Sequence, residues 1–366
     1  MKAREVPGLA LALIEDGHPV LVKTYGLASV EQKNPLKKDT VLYGASLTKL
    51  VFAFLVMQLV DEKVIDLDRP IAEYLPKPLP EYEKYADLAH DERWRKLTPR
   101  ILLDHTSGFP NFRFLNPDEK LDFKFDPGTR YAYSGEGINL LQFVLEAGLG
   151  LDLARETKQR VYDRFGMTRT SMTWREDFSP NYADGYDEHG KVQPHRRRTG
   201  VRAAGSMDTT IDDMVKFLAG FLRGEGLSET ARAEMLRPQI AIKSAHQFPT
   251  LETAESSANL RIGLSAGLGC VLFRSPAGPA FYKGGHDEWT DNLAIGIRGK
   301  KRGLLLMSNS ILAETIYPAL VKFLWGETDA PWSWEYNAPE LPPPLTMSGT
   351  GKVLQRREIV RCSESL

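Results

Sequence analysis

The chain has 366 residues, and at roughly 100 to 200 residues per domain this length indicates two domains or one large one. It carries 47 Lys and Arg residues against 48 Asp and Glu residues, and this balance argues against charge-driven binding to nucleic acid or to an anionic membrane surface. With 42% hydrophobic and 26% charged residues, the composition is that of a globular protein and excludes a mainly disordered chain.

The first elements predict a sheet followed by a buried helix. Apolar runs at residues 8–14 and 20–25, separated by turn residues 16–18, are typical of a β-hairpin. From Ser46 onward we expect a helix that is apolar on nearly every face, which is typical of a helix buried on all sides. Its unbroken apolar run, residues 50–57, is far shorter than the about 20 residues of a membrane-spanning helix. No transmembrane segment is therefore predicted.

The middle of the chain predicts a mainly helical region. Four prolines between residues 70 and 80 mark a loop, and helical patches at 98–105 and 136–147 alternate with polar, turn-rich stretches. An amphipathic helix with a capping signal then begins at Thr209. This helix marks the return to the sheet.

The last part of the chain predicts an antiparallel meander, a closing helix at 314–325 and an extended tail around Pro342–Pro344. The β-like runs of the meander are residues 268–273, 279–284, 292–298 and 303–308. Strands at both ends with helices between them predict an α+β fold, in which an antiparallel sheet is flanked by helices. We expect a discontinuous sheet domain, residues 1–67 and 205–366, interrupted by a mainly helical insertion, residues 68–204.

Ser46 and Lys49 form the first candidate for chemistry. They are three residues apart, so on a helix they share a face and the lysine amine lies beside the serine hydroxyl. Serine is a weak nucleophile that needs a neighbouring base, and a desolvated lysine can supply one near neutral pH. The pattern alone also fits a capping serine with a lysine that reaches towards solvent, so it leaves both interpretations open.

Two further segments accompany this pair. Tyr133 lies on a turn before an apolar helical run, and Lys283, Gly284 and Gly285 lie on a predicted strand. A serine with its lysine, then a tyrosine, then a Lys-Gly-Gly strand is similar to the serine β-lactamase and penicillin-binding protein superfamily. Stretches such as "LLDHTSGFP" and "PGTRYAYSGEGINLL" extend the likeness. Specifically, the chain resembles the class C β-lactamase branch, with its β-lactamase-like esterase and D-aminopeptidase relatives.

The resemblance implies a two-step acyl transfer. Ser46 would attack a carbonyl, Lys49 and Tyr133 would share the general-base task, and Tyr133 would return a proton to the leaving group. It also implies an oxyanion hole formed by the backbone N–H groups of Ser46 and His286, and Lys283 as a cationic anchor for a substrate carboxylate. The expected partner is a small-molecule or peptide substrate, with no metal and no organic cofactor.

Three positions depart from the family pattern. Gly135 stands where class C enzymes have Asn, and it removes an amide that would contact the amide of the substrate. Gly284 stands where Thr or Ser is usual, and Trp289 stands where a small glycine is common. We expect the Trp289 indole to narrow the mouth of the site or to offer a stacking surface. The predicted substrate-binding residues are thus Lys283, Gly284, Gly285, His286 and Trp289.

Other patterns are disfavoured. Gly263–Gly267 matches a nucleophile elbow, but a strand rather than a helix is predicted after it. His286 with Asp287 and Glu288 lacks a second histidine at metal-ligand spacing. His105 is interpreted as a packed loop residue that holds its turn. The basic run at 195–198 is interpreted as a solvated loop, with a role at the edge of the substrate site as the alternative.

The start of the chain and its cysteines are the features that concern the cellular compartment of the protein. The start lacks a small-residue cleavage site, so no signal peptide is predicted in this chain. We expect a periplasmic or secreted protein if a signal was removed, and a cytoplasmic one otherwise. Cys270 and Cys362 are too few for a disulfide scaffold and leave the redox compartment open.

The leading prediction for function is a serine hydrolase that forms an acyl-enzyme on Ser46. Its substrate would be an amide or ester such as a β-lactam or a D-amino-acid peptide, because Lys283 favours ligands with a carboxylate. Gly135 favours short-chain esters instead, so a β-lactamase-like carboxylesterase is the alternative. A non-catalytic binding scaffold is the alternative of another class, since fold alone does not decide function.

Overall fold

The structure is a computed structural model that describes residues 1–179 and 181–336. The predicted extended tail around Pro342–Pro344 and Cys362 lie outside the described residues. The predicted α+β fold, with an antiparallel sheet flanked by helices, is confirmed.

A nine-stranded antiparallel sheet is the centre of the described part of the chain, with strand order β3-β2-β1-β13-β12-β11-β10-β9-β8. Its strands are β1 (Gly8–Glu15), β2 (His18–Ser29), β3 (Asn34–Pro35), β8 (Ile240–Ala241), β9 (Ser265–Ala266), β10 (Val271–Ser275), β11 (Gly278–Asp287), β12 (Thr290–Ile297) and β13 (Arg302–Ser308). Two small ribbons pair β4 (Leu42–Tyr43) with β7 (Asp208–Thr209) and β5 (Gly185–Tyr186) with β6 (Val192–Gln193).

Helices cover both faces of this sheet. The α-helices of the described residues are α1 (Leu47–Asp61), α2 (Pro99–Leu103), α3 (Gly135–Phe143), α4 (Leu153–Thr157), α5 (Asp163–Phe165), α6 (Ile211–Arg223), α7 (Glu229–Met235), α8 (Ser257–Arg261), α9 (Tyr317–Trp325) and α10 (Trp332–Tyr336). Single π-helical turns, Val144–Gly148 and Lys158–Tyr162, continue α3 and α4.

Two of the long hairpins, β1–β2 and β12–β13, turn at residues with positive φ. Asp16 and Gly17 connect β1 and β2 with φ values of 50° and 79°, as a two-residue hairpin turn of matching twist requires. Lys301 has a φ of 45° in the connection between β12 and β13. Local turn chemistry therefore helps to fix how the strands of these two hairpins pair.

The sheet separates two apolar cores. In β1, Ala10 and Ala12 face the larger core, which contains α1 and α6, while Leu9 and Leu11 face a smaller core that contains α9 and α10. This alternation follows from the two-residue period of a strand. Helix α1 is buried from Leu47 to Leu59, as its uniformly apolar sequence predicted.

The larger core contains residues from both predicted domains, for example Leu50 and Phe217 with Leu141. It joins the sheet and the helical region into one continuous apolar cluster. The division into residues 1–67 with 205–366 and residues 68–204 stays a prediction.

Several predicted elements have different bounds in the structure, for example β2, which spans His18–Ser29 where residues 20–25 were predicted. The strand expected from residue 268 begins at Val271, because Gly269 adopts a φ of 82° and passes so close to α1 that a Cβ on it would lie 2.3 Å from the Cβ of Ala53. The helix expected at 314–325 is divided into a 3-10 turn, Ile311–Thr315, and α9. Pro318 lies in the first turn of α9, where its missing N–H is tolerated.

Among the described residues, no single helix has both the length and the apolar composition to cross a membrane. The bent pair Gly135–Gly148 and Leu153–Phe165, which meet at 104°, satisfies those two criteria only when taken together.

Candidate active site

Ser46 and Lys49 lie together at the start of the buried helix α1. Ser46 is the N-cap residue, and Lys49 Nζ is 2.9 Å from its Oγ. The same Nζ donates a hydrogen bond of 2.5 Å to the carbonyl of Ala204. Ala45, immediately before the serine, has a φ of 45°. This conformation is unfavourable for a residue with a Cβ, and such strained conformations cluster at functional sites. The predicted pairing of serine and lysine is thus present.

Tyr133 reaches the same point from the segment before α3. Its hydroxyl forms a hydrogen bond with Ser46, and Lys49 Nζ lies 4.8 Å from the centre of its ring. Ser134 caps α3 by accepting a hydrogen bond of 3.0 Å from the Gly137 N–H. His105 Nδ1 accepts a hydrogen bond of 3.2 Å from the Ser134 N–H, and its ring lies 4.5 Å from that of Tyr133. His105 therefore supports the turn that carries the tyrosine.

Strand β11 also approaches Ser46. β10 pairs with β11 only from Gly278 to Tyr282, and the following residues run past the start of α1. A Cβ on Gly285 would lie 2.8 Å from the amide nitrogen of Leu47 and 3.2 Å from that of Ser46. Only glycine permits this approach, which brings the end of β11 beside the serine.

These elements enclose a cavity of about 590 Å³. Ser46, Lys49, Tyr133, Gly284 and His286 line it, so five of the eight predicted site residues meet there. Side chains that the sequence did not single out also line it, including Tyr43, Asn111, Phe112, Arg202, Gln247 and Glu335.

Lys283 and Trp289 are not among the described residues that line this cavity. Lys283 is buried behind it, where its Nζ donates to the Gly284 carbonyl and lies 5.3 Å from the Tyr133 ring centre. The Trp289 ring instead lies under the Arg196 guanidinium, 4.7 Å away. The structure thus places the indole beside the basic loop and does not bring it to the mouth of the cavity.

Burial sets the protonation of the groups around the cavity. Desolvation and the charge of Lys283 hold the pKa of Lys49 well below its ordinary value. Desolvation raises the pKa of the Tyr133 phenol well above its ordinary value, against the effect of its hydrogen bond with Ser46. Burial, then Lys283 and Lys49, lower the pKa of His286 to about 4. The lowered pKa favours the uncharged form of the Lys49 amine, and the raised pKa keeps the Tyr133 phenol protonated near neutral pH.

A family model described as Beta-lactamase matches residues 1–312. The chain belongs to the beta-lactamase family. Members of this family are mostly serine hydrolases, and membership supports that general type of function for the chain. The predicted membership of the serine β-lactamase and penicillin-binding protein superfamily is confirmed.

Similar proteins of the beta-lactamase family support the same assignment. Penicillin-binding protein 4* of Bacillus subtilis (strain 168) is 24% identical over 357 residues, which cover 90% of this chain and 73% of the relative. A beta-lactamase of Yersinia enterocolitica is 23% identical over 239 residues, which cover 62% of this chain and 58% of that protein. The fold resembles the octameric penicillin-binding protein homologue from Pyrococcus abyssi, with a TM-score of 0.72, 22% identity and coverage of 90% and 76%. The chain spans about half the length of other curated relatives that it matches, 50% in one case.

Two of the unpredicted wall residues had a signal in the beta-lactamase sequence pattern. Asn111 and Phe112 directly follow "LLDHTSGFP", and the Phe112 ring fills the space beside Gly135, where a Cβ would lie 2.5 Å from its Cε1. Asn111 Oδ1 accepts a hydrogen bond of 3.0 Å from the Gly135 N–H. Glu335 comes from the short helix α10 and carried no motif.

The basic run at 195–198 is partly buried, so its interpretation as a solvated loop is wrong for two of its members. His195 Nε2 is 3.2 Å from Asp208 Oδ1, and the Arg198 guanidinium lies 3.6 Å from the Tyr43 ring centre. In the described part of the chain, no group of three or more His, Cys, Asp or Glu side chains could hold a metal ion.

Proposed function

We propose that the chain is a serine hydrolase of the class C type that cleaves an amide or ester through an acyl-enzyme on Ser46. The observation that supports this most directly is the 2.9 Å contact between Lys49 Nζ and Ser46 Oγ at the wall of a cavity large enough for a substrate. A serine within reach of a base that is itself held in place is the arrangement that nucleophilic catalysis needs.

In the first step, Ser46 Oγ bonds to the substrate carbonyl carbon and its proton passes to the Lys49 amine. The low pKa of Lys49 supports this role, because a neutral amine keeps a lone pair for the serine proton while one of its N–H groups donates to Ala204. A positioned base of this kind contributes about 100- to 10,000-fold to a rate.

In the second step, the bond from carbon to the leaving nitrogen or oxygen breaks and the leaving group takes a proton from the Tyr133 phenol. The raised pKa of Tyr133 supports the acid role, since the phenol stays protonated until a stronger base forms beside it. Lys49 then reprotonates the phenolate, and water hydrolyses the acyl-enzyme to restore Ser46. We thus assign the base task chiefly to Lys49 and the acid task to Tyr133.

The negative charge of the tetrahedral intermediate needs fixed donors. We propose the backbone N–H groups of Ser46 and His286 for this, and the close approach at Gly285 supports it because it brings the end of β11 next to the Ser46 amide. Removing one such donor from a hydrolase typically costs about 100- to 1,000-fold in rate.

The side chains in and behind the cavity lining indicate the class of substrate. A carboxylate anchor at Lys283 would favour β-lactams or D-amino-acid peptides, but Lys283 is not among the described residues that line the cavity. The apolar Phe112 ring beside Gly135 supports the short-chain esters of a carboxylesterase. Both classes share the acyl-enzyme on Ser46, and the same first experiment tests them.

That experiment is mass spectrometry of the intact protein after exposure to a fluorophosphonate and, separately, to a penicillin. We expect a single adduct on the wild type that Ser46→Ala abolishes. Ser265→Ala is the matched control: it removes the serine of the rejected elbow, whose buried Oγ has no hydrogen-bond partner in the structure, and should leave labelling unchanged. Absence of an adduct with both reagents would favour the non-catalytic scaffold.

A further inference from the structure

Glu335 places a carboxylate in the wall of the catalytic cavity. Its side chain is only 2% exposed, and its Oε2 accepts a hydrogen bond of 2.6 Å from Gln247 Nε2. Gln247 is held in turn by the Tyr131 hydroxyl, which donates to its Oε1 at 3.0 Å. The carboxylate is therefore fixed in orientation by one of its oxygens.

The other oxygen faces the cavity without a hydrogen-bond partner. Glu335 Oε1 is buried, and His286 Nε2 lies 3.8 Å from it. His286 is neutral near pH 7, and its Nε2 also has no hydrogen-bond partner in the structure. A buried acceptor of this kind is costly unless a ligand supplies the missing donor.

Gly284 makes room for this oxygen. A Cβ at position 284 would lie 1.9 Å from Glu335 Oε1, so the carboxylate occupies the space that any other residue at this position would need for its side chain. The glycine at position 284 and the carboxylate of Glu335 therefore depend on each other, because only a residue without a Cβ leaves space for the carboxylate. Lys283, which lies behind Gly284, faces the Glu335 charge and not the open cavity.

We infer that Glu335 is a specificity-determining residue that selects substrates bearing a positively charged amino group and rejects those bearing a carboxylate. This inference rests on the proposed acyl-enzyme chemistry and narrows its substrates to amides or esters with a free amine. The ammonium group supplies the donor that Glu335 Oε1 lacks. Above pH 7, where the Glu335 carboxyl is ionised, a substrate carboxylate would instead meet a fixed like charge in a desolvated wall.

The test uses ligands that protect Ser46 from a fluorophosphonate, so that it does not depend on knowing the substrate. Butylammonium and butyrate have similar size and opposite charge, and each is added at equal ionic strength while the rate of Ser46 labelling is followed by mass spectrometry. We expect butylammonium to slow labelling of the wild type more than butyrate does. In Glu335→Gln this preference should fall by about tenfold or more, because the like-charge repulsion is removed.

Two further variants sharpen the comparison. Gly284→Ala keeps the carboxylate but displaces its Oε1, so we expect it to reduce the preference as well. Glu327→Gln removes a negative charge from an exposed residue that pairs with Lys322, and it should leave the preference unchanged.

The experiment distinguishes failure of the proposed function from failure of the inference about Glu335. If Ser46 of the wild type is not labelled, the proposed function fails and the inference fails with it. If Ser46 is labelled but butyrate protects as well as butylammonium, or the preference survives in both Glu335→Gln and Gly284→Ala, the inference alone is overturned.

Discussion

At the residue scale, the properties of the site follow from where single charges are buried. Lys49 is 1% exposed and donates to the Ala204 carbonyl, and the neighbouring Lys283 further disfavours its protonation. An arginine would keep its proton under these conditions. Lys49→Arg should therefore slow fluorophosphonate labelling of Ser46 by about 100-fold or more, as expected for loss of a general base.

The measurement for Lys49→Arg is the labelling rate as a function of pH. The wild-type rate should rise through the pKa of the lysine, whereas the variant should have no such rise. A variant that labels at the wild-type rate would show that Lys49 serves only to position the serine. Lys216→Arg is a control, because this lysine pairs with Asp213 on α6 and is not among the residues that line the cavity.

The charge of Glu335 gives a second prediction, of pH dependence. Burial raises its pKa to about 7 against the attraction of Lys283, and burial lowers the pKa of Lys283 to about 8. The other titratable groups that interact with Glu335 or lie beside it are His286, Asp291, Glu314 and four tyrosines, Tyr131, Tyr133, Tyr282 and Tyr336. Below pH 7 the Glu335 carboxyl takes up a proton and becomes neutral. Above pH 8 it is anionic and Lys283 loses its charge.

The preference of the site for butylammonium over butyrate should therefore increase between pH 6 and pH 8, the window around the Glu335 pKa of about 7. The ratio of the two protection constants is the measurement, since it cancels the pH dependence of labelling itself. A ratio that stays constant across this range, or that changes equally in Glu335→Gln, would contradict the assignment to Glu335.

At the element scale, the proposed oxyanion hole depends on how closely β11 approaches α1. Gly285→Ala should slow Ser46 labelling by about 100-fold, because the added Cβ lies 2.8 Å from the Leu47 amide nitrogen and must push strand and helix apart. Gly299→Ala, in the turn after β12 with no atom within 4 Å of the new Cβ, is the matched control. Circular dichroism establishes that both variants are folded. Normal labelling of folded Gly285→Ala would contradict the proposed hole.

A comparison of the predicted elements with those in the structure shows which features the sequence could predict. Local patterns were sufficient for the hairpin of β1 and β2, for the buried helix α1, and for the pairing of Ser46 with Lys49, because each depends on neighbours in the chain. The start of β10 was mispredicted because Gly269 must pass Ala53 of α1, a contact between distant residues. Glu335 was missed for the same reason: nothing in its own segment records that it meets Gly284.

At the scale of the whole molecule, the larger core joins the two predicted domains. The Phe54 ring on α1 packs against Phe165 at 5.7 Å, and against Phe217 at 5.4 Å and Phe221 at 6.0 Å. Phe165 belongs to the predicted helical insertion, while the other two lie on α6 of the predicted sheet domain. One aromatic cluster thus spans the boundary, so we expect the two parts to unfold together.

Phe54→Ala should lower the free energy of unfolding by about 3 to 5 kcal/mol, as large-to-small changes of a buried aromatic do. Unfolding in urea, followed by circular dichroism and by tryptophan fluorescence, should remain one transition with a lower midpoint. Phe323→Ala, at a residue that is 85% exposed, should change stability by about 0.5 kcal/mol or less. Two separate transitions, only one of them shifted by Phe54→Ala, would show instead that the sheet and the helical insertion are independent domains.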